Sequence, residues 1–257
     1  MLGEMYVPKG YALETAQAVL DVKDVMAVNV AWGCTHCCTY PCYVPRFMHS
    51  TVEEAQKIHL PKLSPAKLVA AQLAKKPAPA GVFASFLTDP LLEDNLVNTM
   101  GLVNELHLTA PATRVAVLSK TDDLDLLPSY STMRYGSTIV SLDKKFYKQY
   151  EPYAASPERR IMVLKELKKI RDEYVFVSME PYPTSEIVQQ SLDELIYNLS
   201  FVDFIVFGKW NYNTQTSTAA AKAEYTELVD RFRDLCNVYG IRYHIKSETL
   251  KFIGELP

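Results

Sequence analysis

Along the chain, short runs of β-branched and aromatic residues alternate with longer stretches in which apolar residues recur every three or four positions. The runs predict strands over Val25–Ala31, Gly81–Phe86, Arg114–Leu118, Ser137–Ser141, Tyr174–Met179, Phe204–Phe207 and Ile241–Ile245. The stretches between them predict helices over Val52–Lys75, Glu93–Leu108, Asp122–Leu127, Pro157–Arg171, Glu186–Leu199 and Ser217–Tyr239. Such regular alternation implies an α/β protein with parallel strands and crossover helices, wound either as an open doubly wound sheet or as a closed or partial barrel. In both architectures function collects at the carboxyl ends of the strands. No internal repeat, low-complexity tract or Pro/Gly/Ser-rich linker interrupts the pattern, so one domain over residues 1–257 is expected.

The composition agrees with a single large core, with 48% apolar and 22% charged residues in 257. Twenty-seven basic residues against thirty acidic ones leave a formal charge of −3. A strongly basic nucleic-acid footprint is therefore absent from the whole-chain average. No apolar run reaches the roughly eighteen residues of a membrane span, and Met1-Leu2-Gly3-Glu4 lacks the basic stretch and apolar core of a secretory signal. A cytoplasmic protein without a membrane partner is expected.

The cysteines change this picture. Four of the five lie between Cys34 and Cys42, and the fifth is Cys236. In a reduced compartment thiols packed this closely point to metal ligation, because thiolates are the soft ligands of iron and zinc. They sit in Gly33-Cys34-Thr35-His36-Cys37-Cys38-Thr39-Tyr40-Pro41-Cys42-Tyr43, on the loop after the first predicted strand. A zinc site using Cys34, Cys37, Cys38 and Cys42 is one reading, although zinc sites usually draw on two separated pairs.

The same loop resembles the signature of the radical S-adenosylmethionine superfamily, Cys-x3-Cys-x2-Cys with an aromatic residue before the last cysteine. Cys34, Cys38 and Cys42 match it, with Pro41 expanding the second gap by one residue. The nearest likeness is to the spore photoproduct lyase-like branch. Thr88-Asp89-Pro90 after the second strand resembles that branch's Thr-Asp-Pro element, Ser119-Lys120 its Thr-Lys pair, and Glu151-Pro152 through Arg160 its Glu-Pro-x-Ala-Pro stretch leading into a helix. The likeness implies a partial (β/α)6-type TIM barrel with parallel strands. It also implies a four-iron, four-sulfur (4Fe-4S) cluster held by three thiolates, the open iron binding S-adenosyl-L-methionine. Reductive cleavage then gives a 5′-deoxyadenosyl radical that abstracts hydrogen from substrate, the cofactors carrying the chemistry and the protein orienting them.

Carried over residue by residue, the resemblance places Tyr40 and Tyr43 against the adenine or the cluster. Thr88 and Asp89 would receive the methionine ammonium, Ser141 the ribose, and Arg160 the methionine carboxylate. Each has an ordinary competitor: a helix cap for Thr88-Asp89-Pro90, a turn for Ser141, and a solvated helix face for Arg160. Lys120, Glu151 and Glu180 read as structural ion-pair partners. Lys209, Trp210, Asn211 and Tyr212, at the end of the sixth predicted strand, are the substrate-binding candidates, since aromatic faces beside amides stack on planar groups. The competing reading is an aromatic cap sealing the barrel. Cys236 and His244 read as core residues.

The expected function is that of a radical S-adenosylmethionine enzyme acting on a nucleic acid, a peptide or a small metabolite, supplied with electrons by an external donor. The alternative is a non-enzymatic zinc-binding module that engages a partner.

Overall fold

A computed structural model describes residues 2–256. Eight strands form one sheet in strictly sequential order. The two-residue strand β1 (Met5–Tyr6) pairs antiparallel with β2 (Val25–Val28). From β2 the ladder is parallel throughout, through β3 (Gly81–Ala84), β4 (Arg114–Ser119), β5 (Met133–Thr138), β6 (Val175–Tyr182), β7 (Phe204–Lys209) and β8 (Arg242–Ile245). The order never reverses, as it does in a doubly wound sheet, and β8 does not pair with β1. The result is the open, partial barrel expected, with a seventh parallel strand.

The period of two along each strand separates two cores. Val82, Val115, Val117, Val177, Ile205 and Phe207 belong to a core with residues of three helices: α5 (Glu93–Thr109), α7 (Pro157–Arg171) and α9 (Ala219–Tyr239). The intervening Phe83, Ala116, Phe176 and Val206 form a second core with Ala16, Val19 and Leu20 of α1 (Gly10–Leu20). Helix α1 packs on β2, β3, β4 and β7, filling the other face of the sheet from both sides. Gly136 is required there: a Cβ would sit 2.2 Å from the Phe176 ring.

Local chemistry explains where the helices begin and end. The bounds of α7 are those expected, because Pro157 occupies the first turn and the Ser156 hydroxyl accepts the Arg159 N–H. The predicted Val52–Lys75 helix is instead two. The first, α3 (Val52–Ala55), is capped by Thr51, and after Pro61 a second, α4 (Pro65–Leu73), starts on Pro65. The short helices α2 (Tyr43–Phe47), α6 (Lys144–Tyr150) and α10 (Ser247–Ile253) had no clear periodic signal, and α8 is only Leu192–Asn198, capped by Ser191. The predicted Ser137–Ser141 strand lies at Met133–Thr138, displaced because Gly136 reads as a breaker in sequence but is a packing necessity under Phe176. Among the described residues no helix is long and apolar enough to cross a membrane.

Candidate functional site at the carboxyl end of the sheet

The loop after β2 is pinned along its length. Asn29 Oδ1 accepts the N–H groups of Phe86 and Leu87 at 2.9 and 3.2 Å, holding the ends of β2 and β3 together. Trp32 stacks on His59 at 3.8 Å and exchanges backbone hydrogen bonds with it. Gly33 has φ +88, and a Cβ there would sit 1.9 Å from the Lys57 carbonyl oxygen, so only glycine fits. Its N–H donates to Leu87 O at 2.9 Å and its carbonyl accepts the Thr88 hydroxyl at 2.5 Å. Cys34 N–H then donates to Ala55 O at 2.8 Å, and Thr39 N–H to Tyr150 O at 3.0 Å.

Within this frame Cys38 is the thiol that Cys34 and Cys42 both feel electrostatically. Burial, reinforced by the Asp89 carboxylate, pushes the Cys34 thiol up to about 12. Burial also raises Cys38, against the opposing pull of the Lys120 ammonium, whose Nζ lies 3.6 Å from Cys38 Sγ. Cys37 occupies a left-handed turn at φ +49, immediately before Cys38. Among the described residues no three His, Cys, Asp or Glu side chains close on a point as the ligands of a single ion, which holds for the four-thiol and the three-thiol sets alike.

The polar residues at the strand ends are bonded within the protein. Asp89 is buried and accepts four hydrogen bonds: Ser119 Oγ at 2.7 Å and Leu91 N at 3.0 Å on one oxygen, His36 Nε2 at 2.8 Å and Lys120 N at 2.7 Å on the other. Burial alone would raise its pKa, but His36 and the backbone donors outweigh it and hold the carboxyl below its ordinary range. With its lone pairs spent inside the protein, Asp89 does not offer itself to an ammonium group. Thr88 is likewise engaged, accepting from Asn95 Nδ2 at 2.8 Å while donating to Gly33. The helix-cap reading also gives way, since α5 is capped at Leu92.

Arg160 is 1% exposed and is not solvated. It donates to Thr138 O and to Glu151 Oε2, while Glu151 Oε1 lies 3.0 Å from Lys120 Nζ and accepts the Tyr40 hydroxyl at 2.8 Å. The ion-pair reading of Lys120 and Glu151 is therefore met, and Arg160 joins them. Ser141 is a turn residue, its hydroxyl accepting Asp143 N–H at 3.1 Å. Tyr43 opens α2, half exposed, with its hydroxyl on Phe86 O.

The four substrate-binding candidates differ in their exposure. Trp210 is 1% exposed and packs edge-on against Tyr40, Tyr150 and Phe146 at 5.7, 5.1 and 6.1 Å, an aromatic seal. Lys209 is buried with its ammonium 4.5 Å from the centre of the Phe252 ring. Asn211 is half-buried, and Tyr212 alone of the four is exposed, at 64%, with the Arg46 guanidinium 5.4 Å from its ring centre. Glu180 forms a bidentate pair with Lys246 at 2.8 Å, laid across Gly208, where a Cβ would meet Glu180 at 3.0 Å. Cys236 is buried and inert, and His244 is tied to Glu14 at 2.7 Å.

No family model and no curated protein matches the chain. Solved structures do. Spore photoproduct lyase complexed with dinucleoside spore photoproduct superposes with a TM-score of 0.63 at 14% identity, over 93% of this chain and 86% of the lyase. A variant of that lyase with bound AdoMet and the dinucleoside photoproduct gives the same values. SuiB of Streptococcus suis bound to S-adenosylmethionine follows with a TM-score of 0.57 at 10% identity, over 95% of this chain and 53% of SuiB. The chain has the open, partial-barrel fold that these structures share. Within that fold the cysteine loop follows the first parallel strand, and the carboxyl ends of β3 and β4 supply Asp89 and Lys120 to brace it.

Proposed function

We propose that the chain is a radical S-adenosylmethionine enzyme in which Cys34, Cys38 and Cys42 hold a 4Fe-4S cluster. The observation that carries this reading is the placement of the three thiols. They lie on a braced loop at the carboxyl end of the first parallel strand, in a fold shared with proteins solved with S-adenosylmethionine. The donor set fits the group: three soft ligands leave one iron of such a cluster open. When bound, the cluster and S-adenosylmethionine supply reductive cleavage of the sulfonium and the 5′-deoxyadenosyl radical.

The protein's own part is to position and to exclude water. Asp89 and His36 fix the start of the loop, Tyr40 and Trp210 seal it, and the half-exposed Tyr43 lines the approach. Among substrates, a nucleic-acid fragment is the specific candidate, supported by the dinucleoside held in the lyase structure. The net charge of −3 makes that recognition local, at one displaced nucleotide, rather than along an extended polyanion.

Anaerobic reconstitution tests the reading. A brown protein containing iron and sulfide, which forms 5′-deoxyadenosine from S-adenosylmethionine under a strong reductant, is the expected result. A colourless protein that takes up only zinc would refute it.

A further inference from the structure

Beneath the cysteine loop lies a charge imbalance. Lys120 and Arg160 flank Glu151, with side chains 15%, 1% and 1% exposed, so two cations share one carboxylate. Among the described residues no second carboxylate pairs with Lys120 or Arg160. Tyr40 contributes a hydroxyl to Glu151 and a ring face 4.4 Å from Lys120 Nζ. The nearby Asp89 carboxylate is committed to His36, Ser119, Leu91 and the Lys120 backbone. Burial penalises an unbalanced charge, and it persists where a counter-charge completes the set. The one nucleophilic group that Lys120 reaches is Cys38 Sγ, at 3.6 Å.

We infer that Lys120, Glu151 and Arg160 form the built-in counter-charge of the iron–sulfur cluster, with Lys120 donating an N–H to the Cys38 sulfur and thereby raising the cluster's reduction potential. The inference rests on the proposed cluster reading and deepens it. Three thiolates on an oxidised core of two positive charges leave one net negative charge, equal and opposite to the surplus of the three residues. Reduction adds a second negative charge beside Lys120, which favours the reduced form. Net charge and hydrogen bonds to sulfur are the levers that set such potentials. Lys120 is thus a positioning residue, acting on the cluster through Cys38. The same contact distinguishes Cys38 from its neighbour Cys37 as the second ligand.

The test compares reconstituted full-length wild type, Lys120→Met, Glu151→Gln and the double variant at pH 7. Iron and sulfide are measured first, followed by a redox titration read by electron paramagnetic resonance. Lys120→Met should lower the potential, decreasing the ratio of reduced to oxidised cluster at fixed potential at least tenfold, about 59 mV for a one-electron couple. Glu151→Gln, which removes a negative charge, should move it the opposite way, and the double variant should fall between. A structural role alone would not produce shifts of opposite sign. Wild type that binds no cluster overturns the cluster reading and this inference together. A loaded wild type with variants that are unshifted, or shifted in one direction, overturns the inference alone. Where Lys120→Met fails to load, Glu151→Gln decides by itself: an unraised potential refutes the counter-charge.

Discussion

The two halves of the sheet end very differently. At the carboxyl ends of β2 to β5, polar side chains form a closed network. Asn29, Thr88, Asp89, Ser119 and Lys120 each bond across to another strand end or to the cysteine loop. At the ends of β6 to β8 the ties are mostly side chain to backbone: the Tyr225 hydroxyl accepts the Trp210 N–H and donates to Tyr182 O, the Thr249 hydroxyl accepts the Lys209 N–H, Glu180 pairs with the buried Lys246, and Tyr212 is exposed. A ligand set for a metal cluster must be held within fractions of an ångström, whereas a surface that meets a substrate tolerates variation. Under the proposed function, cofactor support falls to the first half.

The largest expected effect breaks the first half at its purpose. Replacing Cys34, Cys38 or Cys42 by Ala should abolish the cluster's absorbance and S-adenosylmethionine cleavage, whereas Cys37→Ala should leave both largely intact. Iron analysis and product chromatography decide it; equal damage from Cys37→Ala would remove the three-ligand assignment.

Next in size, Trp210→Ala should cost about 3–5 kcal/mol in urea unfolding, the usual range for deleting a buried aromatic ring, because the Tyr40, Phe146 and Tyr150 rings lose their common neighbour. A loss near zero would return Trp210 to the substrate surface.

Asp89→Asn should destabilise by roughly 3 kcal/mol, since it removes the charged acceptor of four buried donors. The sign with pH follows from its depressed pKa and that of Glu151, which Lys120 and Arg160 hold down against burial. Below the ordinary carboxylate range, about pH 4, the unfolded chain binds protons that the folded one resists. Stability from both groups is therefore full above that pH and is lost as the pH falls through the folded values. Urea midpoints measured from pH 6 downward should fall more steeply in wild type than in Asp89→Asn; parallel curves would contradict the role given to Asp89.

In the more open half the same kind of change should do less. Glu180→Gln should cost only about 1 kcal/mol, because the Glu180 side chain is 24% exposed and solvent replaces part of its pair with the buried Lys246. Tyr212→Ala should change stability by less than about 0.5 kcal/mol. If Glu180→Gln proves as damaging as Asp89→Asn, the contrast between the halves fails.

The candidate site was legible in part. The cysteine loop, its place after the first parallel strand and the ion-pair character of Lys120, Glu151 and Glu180 could be read in advance. The duties of Asp89, Arg160 and Trp210 could not. Each is a residue type that serves equally well at a ligand or inside a core, and the choice depends on neighbours supplied from afar. Asp89 meets His36 and Ser119, and Lys120 meets Cys38, 82 residues distant in sequence.

By itself the sequence determined what local physics governs. Strand periodicity set the parallel α/β architecture, Ser156-Pro157 set the start of α7, and the crowding of four thiols within nine positions set the presence of a soft-ligand loop. Tertiary structure alone decided what depends on encounter. It placed α1 across the sheet and turned Arg160 from a free cation into a buried partner of Glu151. Periodicity and capping act over a few residues of chain. A buried charge or ring is defined by whichever side chains the fold brings within hydrogen-bonding or van der Waals reach, and that is a property of the packed molecule.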